Sequence, residues 1–381
     1  MFVWIFFFAL LNTVSATDLS RAELEKKVLI DIYNYQKFHS FVRPHRNESS
    51  ADDPVLVSVN LYLLQLSVNG KNQEFELSMY FRQEWNDSRL AYDNAGKLSY
   101  IAIHDPVGFW TPDLFFVDET KAHLHTITKP NTFARIYPDG SVLHSQRLSV
   151  KSSCPMNLKQ YPFDSQNCRL HIESYGYTAD DLMLQWKATD DSPVMGSPDV
   201  VGYEASYSFG NHTVVVGDKK YSTIELQIHL QRQSFGFILH IYIPITLFVF
   251  TSWIPFWMNP KSFMIRLTVS LTTLVSSLLQ LNMNNYLFLT PGYPTGLDLW
   301  VAFSCTLLFI AFFENVCAVY TFQQSENEAQ ESSKAGINSL SGFVPKMTNR
   351  IDAASKLLFP SLFVAFHLFY IIYIVVNPFD G

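Results

Sequence analysis

The residues of this 381-residue chain whose types and spacing carry chemistry are four cysteines, two alternating histidines and a band of hydroxyl side chains within an apolar run. Cys154 and Cys168 fall in a stretch that mixes polar and apolar residues as a water-facing domain does, where two thiols bridge if the compartment is oxidising. Closing so short a loop stabilises a fold by roughly 3 kcal/mol on a chain-entropy estimate. Cys305 and Cys317 lie in an apolar segment and are expected to pack rather than react. His123 and His125 alternate, so on a strand they face one side, the spacing of a weak two-histidine zinc site. No nucleophile–base motif or full metal-ligand set accompanies them, so neither an enzyme nor a resident cofactor is expected.

The elements that hold these residues divide the chain in two. Aromatic residues make up 15% and charged ones only 16%, against about a quarter charged in soluble domains. The long apolar runs crowd into residues 235–376. Four of them, Phe235–Trp257, Met264–Tyr286, Leu297–Tyr320 and Lys356–Val376, reach the ~20 residues a membrane-spanning helix needs. The second is the wettest, with Thr268, Ser270, Thr272, Thr273, Ser276, Ser277 and Gln280 among its leucines. Such a segment is costly against lipid and natural beside water.

Residues 1–16 form an apolar run ending in Val14-Ser15-Ala16, which suits a signal peptide cleaved before Thr17. Sequons at Asn47, Asn86 and Asn211 all fall in residues 17–234, which are therefore expected outside the cell. Lys261 lies between spans one and two and Arg266 at the start of the second, while the link from Leu287 to Gly296 has neither Lys nor Arg. This asymmetry places both termini outside. The expected division is an extracellular domain at 17–234, three spans in 235–320, a short and mostly disordered cytoplasmic loop at 321–355 whose last part, Lys346 to Lys356, is expected to extend the fourth helix inward, and the fourth span with its extracellular tail at 356–381. A net charge of −7 without clustered Lys and Arg excludes nucleic acid as a partner. Within the first domain, Arg21–Phe38 has helical spacing through Leu24, Val28, Ile32 and Tyr35. After Pro54 the pattern alternates, with turns at Asn69-Gly70 and Asp139-Gly140, which predicts a β-sandwich behind one helix.

Thirteen residues separate Cys154 from Cys168, and they contain Tyr161-Pro162-Phe163-Asp164. This resembles the signature loop of Cys-loop pentameric ligand-gated ion channels. The likeness extends over Trp85–Leu90, Trp110–Phe116, Glu173–Thr178 and Ile241–Pro244, closest to the glycine and γ-aminobutyrate branch. It implies a ligand held between neighbouring subunits. Phe115, Glu173, Tyr175 and Tyr221 would form the principal face, and Tyr80, Arg82, Leu143, Ser145 and Arg147 the complementary face. Aromatic rings and Glu173 suit an ammonium, and Arg82 suits a carboxylate, so an amino-acid transmitter fits. γ-Aminobutyrate, glycine, a biogenic amine and acetylcholine all remain open, because Asp218-Lys219-Lys220 departs from the γ-aminobutyrate pattern. The resemblance also matches His123 and His125 to a zinc-sensitive position, and Tyr161–Asp164 with Arg232 to the elements that tie binding to the pore.

With Arg266 as its inner end, the expected pore lining is Arg266, Thr268, Thr272, Val275, Leu279 and Asn282, the last five placed on one stripe by helical spacing, with an apolar constriction at Val275 and Leu279. Arg266 without an acidic neighbour favours chloride over cations. The expected assembly is a pentamer of identical or homologous subunits in the lipid of a synaptic plasma membrane. A cation-selective channel of the same family, a transporter and a membrane-anchored ectodomain are the alternatives.

Overall fold

In β2 (Glu74–Asn86) each odd-numbered side chain from Phe75 to Trp85 is buried and each even-numbered one is partly open, the period-two pattern of a strand with one face on a core. The computed structural model describes residues 21–36, 41–44, 53–93, 98–104, 108–188, 192–259, 261–284, 291–334 and 344–376. The proposed signal peptide and the Asn47 sequon lie outside them. The described parts of two compact units emerge, one made of Met1–Pro155, Asn167–Val201 and Ala205–His229, the other of Met156–Gln166, Gly202–Glu204 and Leu230–Gly381.

The first unit begins with α1 (Arg21–Gln36), which buries Leu24, Val28 and Ile32 on one face. Its larger sheet runs β10 (Val194–Met195), β1 (Val55–Asn69), β2, β7 (Ser141–Ser153), β6 (Thr132–Ile136) and β3 (Ile101–Ile103). β5 (Glu119–Leu124) also pairs with β7, and β9 (Leu182–Trp186) with β1. The smaller sheet is ordered β11 (Tyr203–Val216), β12 (Lys219–Arg232), β8 (Ser165–Ser174) and β4 (Leu114–Phe116). Rings of both sheets meet between them, Phe81 and Phe116 having centroids 5.4 Å apart. Their inner faces are fully apolar in the middle, where Val57, Val59, Leu77, Met79, Leu170, Ile172, Ile224 and Leu226 are buried. This is the expected sandwich. Cys154 and Cys168 are bridged within it, with Cα atoms 5.1 Å apart.

The second unit holds the helices α2 (Phe235–Trp257), α3 (Phe263–Asn284), α4 (Gly296–Lys334) and α5 (Val344–Val376), each containing a stretch long and apolar enough to cross a bilayer. Val249, Phe256, Leu307, Leu308, Ala311, Phe359 and Phe363 form its core. Residues 321–334 are helical, where the polar composition suggested mostly disorder, and α5 starts at Val344, two residues ahead of the extension expected from Lys346. The Glu, Gln, Ala and Ser of 321–334 are adequate helix formers, and a helix already nucleated in the membrane needs only propagation.

The loop inside the disulfide groups with these helices. The first free N–H groups of α4, on Gly296 and Leu297, donate to the carbonyls of Lys159 and Tyr161 at 2.8 and 2.9 Å. The Tyr293 hydroxyl accepts from the Leu158 N–H at 2.9 Å. α2 contains one wide, π-type turn over Ile238–Tyr242 before Pro244. Proline cannot donate to the carbonyl four residues back, that of His240. The side-chain amide of Gln280 in α3 donates to it instead, at 2.9 Å.

Candidate ligand-binding faces and pore lining

The short strand β4 pairs with β8 so that Phe115 stands opposite Glu173. Phe115 and Tyr175 then meet edge to face, centroids 5.5 Å apart at 82°. Two rings at a right angle form a corner that offers one π face and one ring edge, and Tyr175 is 79% exposed at its rim. The Glu173 carboxylate, half-buried behind the corner, accepts a hydrogen bond of 2.7 Å from the Thr223 hydroxyl on β12. Tyr221 lies two residues before Thr223 on the same strand and is half-buried. An ammonium group placed here would find ring faces and a fixed carboxylate together.

The turn after β8 is set by Asp113, which spacing alone did not single out. Its carboxylate accepts from the Ser174 hydroxyl at 2.6 Å and from the Gly176 N–H at 2.7 Å, and its carbonyl from the Tyr175 N–H at 3.2 Å. Trp110 Nε1 donates to the Tyr177 hydroxyl at 3.1 Å. Asp113 and Thr223 therefore hold the corner without being part of it, through contacts that span 61 and 50 residues.

The complementary set lies on the other sheet. Registers place Tyr80 opposite Arg147 and Arg82 opposite Ser145. Even positions of β2 and odd positions of β7 share one face, so Tyr80, Arg82, Ser145 and Arg147 form a contiguous patch, with Leu143 on the same face opposite Glu84. Tyr62 of β1 stands beside Tyr80, centroids 6.0 Å apart. Among the described residues neither Arg82 nor Arg147 has an ion-pair partner, and Arg147 Nε is buried without a hydrogen bond. The two sets stand on different sheets of the one chain.

His123 and His125 share a side of the chain, rings 5.0 Å apart. His125 Nε2 is 3.0 Å from the Ser149 hydroxyl. Desolvation, then the charges of Arg147 and His123, lower the His125 pKa, which favours the neutral ring a metal needs. Among the described residues no group of three or more His, Cys, Asp or Glu side chains is placed to hold a metal. Asn86 and Asn211 are exposed, although the Asn86 amide donates to the Asp139 carbonyl at 3.3 Å.

Within the second unit, Asp164 receives Arg232 twice, from Nε at 2.7 Å and Nη2 at 3.0 Å. The same guanidinium lies over the rings of Tyr161 and Tyr203 at 4.8 and 4.6 Å. The Ser234 hydroxyl donates to the Pro162 carbonyl at 2.6 Å, and Phe163 reaches the Tyr242 ring at 6.0 Å.

On α3 the residues Thr268, Thr272, Val275 and Leu279 are all exposed along one side. The Asn282 side chain lies outside the described residues. Arg266 does not join that stripe. It is fully buried on the opposite side with Ser270, Thr273 and Ser277, a four-three-four spacing that defines the inward face of the helix. Two residues before Thr268 means a turn of ~200° around the axis, which is why counting from Arg266 misplaced it.

A model of the neurotransmitter-gated ion-channel ligand binding domain matches residues 25–234, more than half of the chain. A glutamate-gated chloride channel of Drosophila melanogaster is 32% identical over 365 residues, covering 93% of this chain and 78% of the relative. A glutamate-gated chloride channel subunit beta of Haemonchus contortus is 32% identical over 309 residues, 77% of this chain and 70% of the relative. With a ligand-binding sandwich, a bridged signature loop and four membrane-spanning helices in one chain, this protein belongs to the Cys-loop family of neurotransmitter-gated ion channels, multi-pass proteins of the plasma membrane.

Proposed function

We propose that the chain is a subunit of a pentameric chloride channel opened by an acidic amino acid, glutamate or a close analogue, held between neighbouring subunits. The observation that carries the choice of ligand is the pair Arg82 and Arg147, diagonal neighbours on one strand face without ion-pair partners among the described residues. Two like charges so placed repel each other and favour a ligand that brings two carboxylates. γ-Aminobutyrate and glycine bring one carboxylate and a biogenic amine brings none. The corner of Phe115, Tyr175, Tyr221 and Glu173 supplies the ammonium site from the neighbouring copy. The activities for which both relatives are named agree with this reading, and α3 carries no Asp or Glu that would gather cations.

Binding reaches the pore along two strands. β8 carries Glu173 near one end and starts beside Asp164, while β12 carries Tyr221 and Thr223 and ends at Arg232. The Arg232–Asp164 pair thus clasps the far ends of the two strands that hold the ammonium half-site.

The test is expression in oocytes with glutamate, γ-aminobutyrate, glycine and amines applied in turn, and the reversal potential followed as external chloride is replaced. Glutamate should open a current whose reversal follows chloride. Arg82→Lys and Arg147→Lys should each raise the half-activating concentration about tenfold or more, because an ammonium cannot reproduce the bidentate fork. Activation by glycine or an amine but not by glutamate would defeat the ligand assignment.

A further inference from the structure

Arg266 is fully buried in the second unit and engages two other helices. Its Nη2 donates to Asp352 Oδ1 of α5 at 2.7 Å and its Nη1 to Oδ2 at 3.2 Å. Nε and Nη2 also donate to Asn315 Oδ1 of α4, at 3.3 and 3.1 Å. Asn315 is held in turn by its amide, which donates to the Ala311 carbonyl at 2.8 Å. One turn away the Ser355 hydroxyl donates to Glu314 at 3.1 Å. The Arg266 and Asp352 side chains are 0% and 6% exposed, so the charge is neutralised inside the bundle rather than presented to ions.

We propose that Arg266 is a positioning residue, a latch that fixes the inner end of the pore helix α3 to α4 and α5, and that it takes no part in choosing the permeant ion. The argument is geometric and energetic. A guanidinium within an apolar bundle is tolerated only when paired, and the planar fork here meets a carboxylate on one edge and an amide oxygen on the other. The side of α3 that carries Thr268, Thr272, Val275 and Leu279 is turned away from it. Selectivity must then come from that side, and Asp352, at the start of the fourth span, becomes a residue on which the pore helix depends. The inference rests on reading α3 as the pore helix of the proposed channel.

Two measurements test it. In the purified full-length protein, Arg266→Gln and Asp352→Asn should each lower the melting midpoint by about 5 °C or more, and the exchange of both charges, R266D with D352R, should recover most of that loss. A Asp352→Asn protein that melts like the parent would overturn the latch. In membranes, every variant that carries current should keep the parent's chloride reversal potential. A shift in Arg266→Gln or Arg266→Lys that Asp352→Asn does not share would show the guanidinium facing the ions and overturn the proposal. If the parent conducts nothing, the channel reading fails while the melting comparison still decides the latch.

Discussion

The imidazole of His144, on β7, stands edge-on to Trp85 at 6.5 Å with Nε2 3.1 Å from the Thr132 hydroxyl, and burial pushes its pKa down to about 4. Because the folded value lies below the ordinary one, the unfolded chain binds the proton first as pH falls. The contribution of the neutral ring is therefore complete above about pH 6.5 and is lost on acidification towards pH 4, with about 2 kcal/mol gone by pH 5. His144→Gln should flatten that acid limb in a pH series of thermal melts. At the ligand corner, Thr223→Val removes the hydroxyl that fixes Glu173 and should raise the half-activating ligand concentration ~3- to 10-fold, with Glu173→Gln costing more. Phe115, Glu173 and Tyr175 were proposed from family motifs that contain them, whereas Tyr221 lies outside those motifs. Asp113 and Thr223 were not legible in the sequence, since a side chain that holds a turn 61 residues away leaves no periodic mark. Arg266 was misread for a related reason: a charge at a helix start looks the same in sequence whether it faces water or a carboxylate on another helix.

Elements were legible wherever one face is buried. The alternation of β1 and β2, the Asp139-Gly140 turn and the four spans all follow from the side-chain pattern. Gly140 has φ +84°, and an added Cβ would lie 2.5 Å from the Asp87 carbonyl oxygen. Gly140→Ala should therefore lower the melting midpoint by several degrees, a cost of about 1–3 kcal/mol. Less legible are devices that depend on two elements meeting. Thr295 and Asp298 cap α4 reciprocally, the Thr295 N–H donating to the carboxylate at 2.9 Å and the Asp298 N–H to the hydroxyl at 3.2 Å. Gln280 supplies the donor that Pro244 withholds from His240, which ties α3 to the wide turn of α2. Gln280→Leu should leave that carbonyl bare and shift half-activation by at least ~3-fold at an unaltered reversal potential, the mark of a gating rather than a selectivity change. The helix at 321–334 escaped the sequence because polar residues extend a helix that apolar neighbours have already started.

At the scale of the molecule, the proposed ammonium corner and the proposed arginine face stand on different sheets of one chain, so on that proposal a solitary chain carries both faces and closes no site. Arg232→Ala should leave radioligand binding at surface-assembled receptors nearly unchanged while current falls about tenfold or more, since the loss severs the clasp and not the corner. Equal losses of binding and current would place Arg232 in the fold alone. The Arg266–Asp352 pair has a further consequence for how the protein is made. The two partners are 86 residues apart, so at ribosomal speeds of about 5–20 residues per second the arginine waits roughly 4–17 s for its aspartate. During that interval the nascent second span carries a cation without its counter-charge, and a chain cut short before residue 352 never acquires that partner.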